Sequence, residues 1–231
     1  SETKMKVPFV DLKRQYHDIK HEIDSAISGT LERGSFILGE KVAEFEKAFA
    51  KYCNAKHCLT VGSGTEALHI ALRAIGIKPG DEVIIPTHTF VATALAAWYA
   101  GAKPIFVDGK EDTYCIDAEK IKAAITPKTK AIIPVHMYGQ YSDMGPIIEM
   151  AEKKNIAVVE DAAQSHGAEY KGKKKVFGKT ACYSFYPTKN LGAYGDGGAI
   201  VTDDDKIADE IMLLRNYGQK KKYEHVIKGF N

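Results

Sequence analysis

Lys189 lies in the run SFYPTKNLGAYGDGGAIVT (residues 184–202), between an aromatic, strand-like stretch and a turn rich in glycine (Gly192, Gly195, Gly197, Gly198). A lysine on a strand–loop–strand mount among small residues points to chemistry, since a surface lysine needs no such mounting. Desolvated by apolar and aromatic neighbours, its amine is a nucleophile toward carbonyl carbon. Asp161 is a second candidate. In VVEDAAQSH (158–166) it stands at the carboxyl end of an apolar strand, where open α/β sheets bind ligands. A carboxylate buried there is costly unless it meets a cation or a strong donor, although a helix-capping role explains the same placement. Gln164 lies one turn later and can face the same site, while His166 is either a base or a histidine bonded to a backbone carbonyl.

VGSGTEAL (61–68) sets a glycine-rich turn after a strand and at a helix start. Backbone N–H groups at Gly64, Thr65 and Glu66, with the helix dipole, form a candidate phosphate cradle. The run is neither GxGxxG nor a P-loop, and a plain turn capped by Ser63 or Thr65 is the competing reading. In THTFVAT (87–93), Phe90 follows a strand end and either stacks on a planar ring or fills the core. A lysine nucleophile, a strand-end carboxylate and a phosphate cradle are together what pyridoxal phosphate requires. Its aldehyde needs the amine, its ring nitrogen an anion and its phosphate an anchor. The lysine, once released from the aldehyde carbon, is the natural base for the substrate Cα–H.

These groups need a scaffold, and one is legible. Apolar runs occur at 58–61, 83–86, 104–108, 131–136, 156–161, 181–186 and 198–202, with helix-like segments at 66–75, 90–100, 118–125 and 144–154. Continuous rather than alternating runs, spaced by about 20–25 residues, predict an α/β fold with a mostly parallel sheet and helices on both faces. The last two runs leave no room for a helix between them, so one of those strands is expected to run against the others. Upstream, PFVDLKRQY reads as extended. Ile23, Ala26, Ile27 and Leu31 then recur at helical spacing, and VAEFEKAFAKY resumes a helix after Gly34–Gly39. That amphipathic face serves either as a plain arm or as a surface for a partner subunit. KIADEIMLLRNYG (206–218) reads as a last helix, and KKKYEHVIKGFN as a polar loop after which a further domain is expected.

Composition narrows the class. Hydrophobic residues make up 45% and charged residues 27%, ordinary for a globular protein. Lys+Arg 32 against Asp+Glu 30 leaves a net +2, which argues for no nucleic acid or acidic partner. No apolar run approaches the roughly 20 residues that span a bilayer. SETKMKVPF lacks the apolar core of a signal peptide, and Ser1–Lys4 reads as a remnant of processing or cloning, so a cytoplasmic protein is expected. Cys53, Cys58, Cys115 and Cys182 lack CxxC spacing and read as buried free thiols; the eight histidines lack HExxH pairing, so no metal is expected.

VGSGTEALHIAL, DEVIIPTHTFVATALA, PVHMYGQ, VEDAAQSHGAEYKGK, SFYPTKNLGAYGDGGAIVT and LRNYGQKKKYEHVIKGFN, in this order over nearly the whole chain, resemble the DegT/DnrJ/StrS family of nucleotide-sugar aminotransferases. The resemblance implies the aspartate-aminotransferase (fold type I) architecture, with an arm and helices over 1–50 and a pyridoxal-phosphate-binding large domain over 51–231. The resemblance also implies a small carboxy-terminal domain, expected beyond residue 231. A homodimer with shared active sites is also implied. Matching motif positions make Lys189 the Schiff-base lysine, Asp161 the partner of the pyridine nitrogen and Gln164 a contact to the ring hydroxyl. They give Gly64, Thr65 and Ser184 the phosphate, place Phe90 over the ring, and send Asn231 to the phosphate of the neighbouring subunit.

The implied reaction moves an amino group from L-glutamate to a keto group of a nucleotide-linked, commonly dTDP-linked, deoxysugar. HMYGQ and NYGQ…KYEH resemble the branch acting on 3-keto-6-deoxy sugars. A 4-keto aminotransferase, a sugar dehydratase, and a catalytically silent cofactor-binding fragment are the alternatives; relatives that dehydrate carry histidine where this chain has Lys189. Lys179 is a departure, standing where the family commonly has Asp.

Overall fold

A computed structural model describes residues 7–231, so the reading of Ser1–Lys4 lies outside the described residues. The chain divides into two compact units, one ending at Phe45 and one formed by Glu46–Asn231. In the first, α1 (Leu12–Asp18) begins inside the stretch expected to be extended, because the Asp11 carboxylate caps it by accepting from Arg14 N–H at 3.0 Å. The next helix, α2 (Lys20–Arg33), carries the expected Ile23–Leu31 face, yet neither helix has a buried residue. A third, α3 (Glu40–Tyr52), crosses the division and buries Phe49 and Ala50 at its carboxyl end.

The second unit is built on a seven-stranded sheet of order β1-β7-β6-β5-β4-β2-β3. Its strands are β1 (His57–Val61), β2 (Glu82–Pro86), β3 (Lys103–Val107), β4 (Thr129–Ile132), β5 (Ala157–Asp161), β6 (Thr180–Ser184) and β7 (Gly198–Thr202). All pairings are parallel except those of β7, which runs against both β1 and β6. The reversed strand is thus one of the two joined without a helix. The run at 131–136 forms a strand only to Ile132; beyond it Val135 returns to the sheet through a single bridge to Asp161.

Alternation within each strand feeds two cores. Val83, Ile85, Ala131, Ile133 and Val159 pack with α4 (Gly64–Ala74), α5 (Ala92–Tyr99) and α8 (Asp205–Leu214). Ile84, Ile132 and Val158 pack with α6 (Ala118–Ala124) and α7 (Met144–Lys154) on the opposite face. Period-two strands buried on both sides account for the continuous apolar runs.

The last stretch is not an open loop. After α8, β8 (Gln219–Lys221) and β9 (Glu224–His225) form a hairpin. Phe230 then donates its N–H to Leu214 O at 2.7 Å and packs with Ile227 on the larger core.

Candidate active site

Strand register gathers the site. Val61 and Ser184 both pair with Gly198, while Asp161 pairs with Cys182 on β6. The carboxyl ends of β1, β5 and β6 and the start of β7 therefore meet at one edge, beside the point where strand order reverses. A cavity of about 500 Å³ opens there, within the range usual for small-ligand sites. Gly64, Thr65, Phe90, Asp161, Gln164, Ser184 and Lys189, seven of the eight residues singled out from the sequence, line it.

At one end, Ser63 caps α4 by accepting from Glu66 N–H at 3.1 Å. Glu66 Oε2 accepts in turn from Gly62 N–H at 2.5 Å. The Glu66 amide, expected to be free, is therefore committed to the cap, which leaves Gly64, Thr65 and Ser184 on the cavity lining there. Gly64 approaches β6 so closely that an added Cβ would lie 2.7 Å from the Ser184 Cβ. A Cβ at Gly198 would lie 2.3 Å from Ser63 O. Those two glycines let the turn seat on the sheet, which puts the Ser184 hydroxyl next to the helix amino terminus.

At the other end, Asp161 is 6% exposed. Burial pushes its carboxyl above the ordinary range, opposed by Ala163 N–H on Oδ1 at 3.1 Å, the Thr93 hydroxyl on Oδ2 at 2.9 Å, and the positive charge of Lys189. Gln164 Oε1 accepts from Tyr138 N–H at 2.8 Å, which leaves its Nε2 as a free donor. Tyr138 holds a left-handed backbone (φ 55°) in the loop behind His136. That loop is pinned by the wholly buried His136, whose Nδ1 accepts from Ser142 N–H and whose Nε2 meets Glu160 at 2.8 Å. Phe90 is 73% exposed at the rim, so it is not a core residue. Lys189 is half-buried on a loop closed by Phe185 N–H to Gly197 O and Lys189 N–H to Tyr186 O, both 2.8 Å.

The cavity lining thus combines neutral donors at a helix amino terminus, the carboxyl groups of Asp161 and Asp196, one amine and aromatic side chains. The sequence profile of the DegT/DnrJ/EryC1/StrS aminotransferase family matches residues 17–231. The chain belongs to this family. It is 47% identical over 227 residues to a dTDP-3-amino-3,4,6-trideoxy-alpha-D-glucose transaminase of Streptomyces venezuelae, covering 98% of this chain and 60% of that protein. It is 48% identical over 226 residues to a UDP-2-acetamido-2-deoxy-3-oxo-D-glucuronate aminotransferase of Pseudomonas aeruginosa, covering 97% of this chain and 63% of that one. The crystal structure of Bacillus subtilis NtdA with bound cofactor PMP superposes with a TM-score of 0.92 at 38% identity, over all of this chain and 54% of NtdA. The chain therefore spans about three fifths of the length of these two transaminases.

Two residues marked out by the DegT/DnrJ/EryC1/StrS resemblance stand elsewhere. Asn231 does not line the cavity of its own chain. Lys179 precedes β6 at the opposite end of the sheet, where it lines a separate cavity of about 400 Å³ with Lys78 and Lys130. His166 does not line the cavity of about 500 Å³ either. Its ring sits among Phe49, Tyr183 and Phe185, and burial pushes its imidazole down to about 4, so it is neutral. All four cysteines are free and buried. Among the described residues no cluster fit for a metal is found, and no helix is long and apolar enough to cross a membrane.

Sequence reasoning passed over Thr93 and Asp196. Thr93 holds Asp161, and Asp196 adds a carboxylate to the cavity wall. THTFVAT does place Thr89 and Thr93 four residues apart, but that spacing does not say which carboxylate either would meet.

Proposed function

We propose that the protein is a pyridoxal-phosphate-dependent aminotransferase acting on a 3-keto group of a nucleotide-linked deoxysugar. The reading is supported by the convergence of Lys189, Asp161, Gly64, Thr65 and Ser184 on the lining of a single cavity. The residues present fit the cofactor: donors without a countercharge suit a phosphate, and a buried carboxylate suits a protonated ring nitrogen. Bound there, pyridoxal phosphate supplies a reactive aldehyde and a ring that stabilises negative charge at the carbon losing a proton. The amide and hydroxyl groups of Gly64, Thr65 and Ser184 would hold the phosphate, and Asp161 would keep a proton on the ring nitrogen. Gln164 Nε2 would serve the ring hydroxyl, and Phe90 would shield one face of the ring from water. The Lys189 amine would be the group that holds the aldehyde and, when free, the base for the proton at the substrate carbon. That amine retention at position 189 separates transamination from dehydration.

Position 3 of the sugar is supported by two relatives whose names specify 3-amino or 3-oxo sugars on different nucleotides, dTDP and UDP. L-glutamate as donor and a homodimer with Asn231 reaching the partner's phosphate follow the family pattern. A cytoplasmic setting accords with four unpaired, buried cysteines. The deciding experiment incubates the protein with pyridoxal phosphate, glutamate and either 3-keto or 4-keto dTDP-6-deoxysugars, and identifies products by mass spectrometry and NMR. Formation of a 3-amino sugar with 2-oxoglutarate is expected; amination only of the 4-keto sugar would overturn the position, and deoxygenation would overturn the reaction.

A further inference from the structure

Thr93 lies behind the cavity rather than on its wall. It is wholly buried, in the first turn of α5, and its hydroxyl donates to Asp161 Oδ2 at 2.9 Å. Thr89 Oγ1, which does line the cavity, sits 2.8 Å from Thr93 Oγ1. An ionised carboxylate only accepts, so the Thr93 proton is committed to Asp161 and the Thr89 hydroxyl must donate to Thr93. With Ala163 N–H on Oδ1 at 3.1 Å, each carboxylate oxygen has one fixed donor. Turning the carboxyl group about its Cβ–Cγ bond would break both.

We propose that Thr93 is a positioning residue which, oriented by Thr89, holds the Asp161 carboxylate ionised and in one plane, facing the cavity. The role toward a ring nitrogen rests on the cofactor reading above, whereas the hydroxyl chain belongs to the unliganded protein. The physical need is clear. Burial favours the neutral acid, and a neutral acid cannot balance a cationic ring. A hydroxyl is a donor that carries no charge, so it supports the anion without competing with the ligand for it. Both protons are spent on this chain, which leaves Thr89 with none to offer a ligand.

The test uses Thr93→Val, which keeps the shape and removes the donor, and Thr93→Ser, which restores it. The titratable groups that face Asp161 are Lys189, His136 and, on the paired strand, Cys182. Because the folded carboxyl titrates above its unfolded value, the unliganded protein loses stability as pH rises from the unfolded value through the folded one. Removing the donor raises the folded value further, because the buried anion loses a hydrogen bond that the neutral acid does not need. The Tm deficit of Thr93→Val relative to wild type is therefore expected to be larger at pH 8 than at pH 5. It should be equal at both pH values when placed on Asp161→Asn, and mostly recovered in Thr93→Ser.

Affinity for pyridoxal phosphate, measured by equilibrium dialysis, should fall roughly tenfold in Thr93→Val and recover in Thr93→Ser. A Thr93→Val deficit that does not change with pH while Asp161 is intact, or serine no better than valine, would overturn the positioning role. Wild-type protein that captures no pyridoxal phosphate would overturn the cofactor reading instead, and the pH comparison on unliganded protein would still decide Thr93.

Discussion

Among the described residues lining the cavity, Lys189 carries the only amine. Its chemistry can therefore be isolated by one substitution. The backbone that mounts it is closed by main-chain hydrogen bonds at Phe185, Tyr186, Ala193 and Gly197 and by Tyr186 N–H to Ser184 Oγ at 3.3 Å, none of which uses the Lys189 side chain. Lys189→Ala is expected to leave stability within about 0.5 kcal/mol, as for a substitution that removes no buried contact. The same change should abolish the visible band of the lysine-bound cofactor. Borohydride reduction of the wild type followed by peptide mass mapping checks this: the added mass should sit on the peptide holding Lys189, and its appearance on another lysine would refute the assignment. Lys189, Asp161 and Gly64 were legible because lysine among glycines, acid after an apolar strand and glycine before a helix are each unusual for their surroundings. Thr93 was not, since a threonine in a first helical turn is commonplace and only the third dimension shows which carboxylate it meets. The Glu66 amide was misread for a related reason: the capping serine and the cradle compete for the same N–H groups, and spacing alone does not say which takes which.

Strands and their turns set the distances between those residues. The sheet was legible because burial on both faces leaves uninterrupted apolar runs, and the reversal of β7 followed from the absence of a crossover between 186 and 198. The hairpin of β8 and β9 left no such trace. Its residues Gln219–Lys221 and Glu224–His225 are polar and largely exposed, and its turn uses Tyr223 at φ 69° instead of glycine or asparagine. Element packing also separates the glycines of the lysine loop, whose sequence alone could not rank them. A Cβ at Gly198 would strike Ser63 O, whereas one at Gly195 would meet nothing within 4 Å. Gly198→Ala is expected to destabilise by about 1–3 kcal/mol and to weaken cofactor binding, because the Ser63–Gly64 turn must move off the sheet. Gly195→Ala should do neither. Urea unfolding of the two variants side by side is the check, and equal stabilities would show that the turn tolerates the shift. Removing the cap through Ser63→Ala should cost about 1 kcal/mol in the same measurement.

For the molecule as a whole, the residues preceding Glu46 pose the remaining problem. α1 and α2 bury nothing, and Phe9, Leu31, Phe36 and Ile37 are 104%, 63%, 59% and 85% exposed. Apolar side chains at that exposure, three of them within residues 31–37, are costly in water and mark a surface that something covers. A net charge of +2 on 231 residues gives little repulsion to keep copies apart. A second copy of the chain is the occupant that fits the proposed homodimer, in which each active site is completed from its neighbour. The protein is accordingly expected to sediment as a dimer at micromolar concentration. Placing a carboxylate in the patch by Leu31→Asp together with Ile37→Asp should shift it to monomer, since each charge would have to be desolvated at the interface. Because neither side chain is buried within the chain, the thermal unfolding of the seven-stranded unit in the double variant should stay sharp and cooperative. Sedimentation equilibrium of wild type and variant distinguishes the outcomes: a wild-type monomer, or a variant dimer of unchanged affinity, would show that these residues do not form the subunit contact.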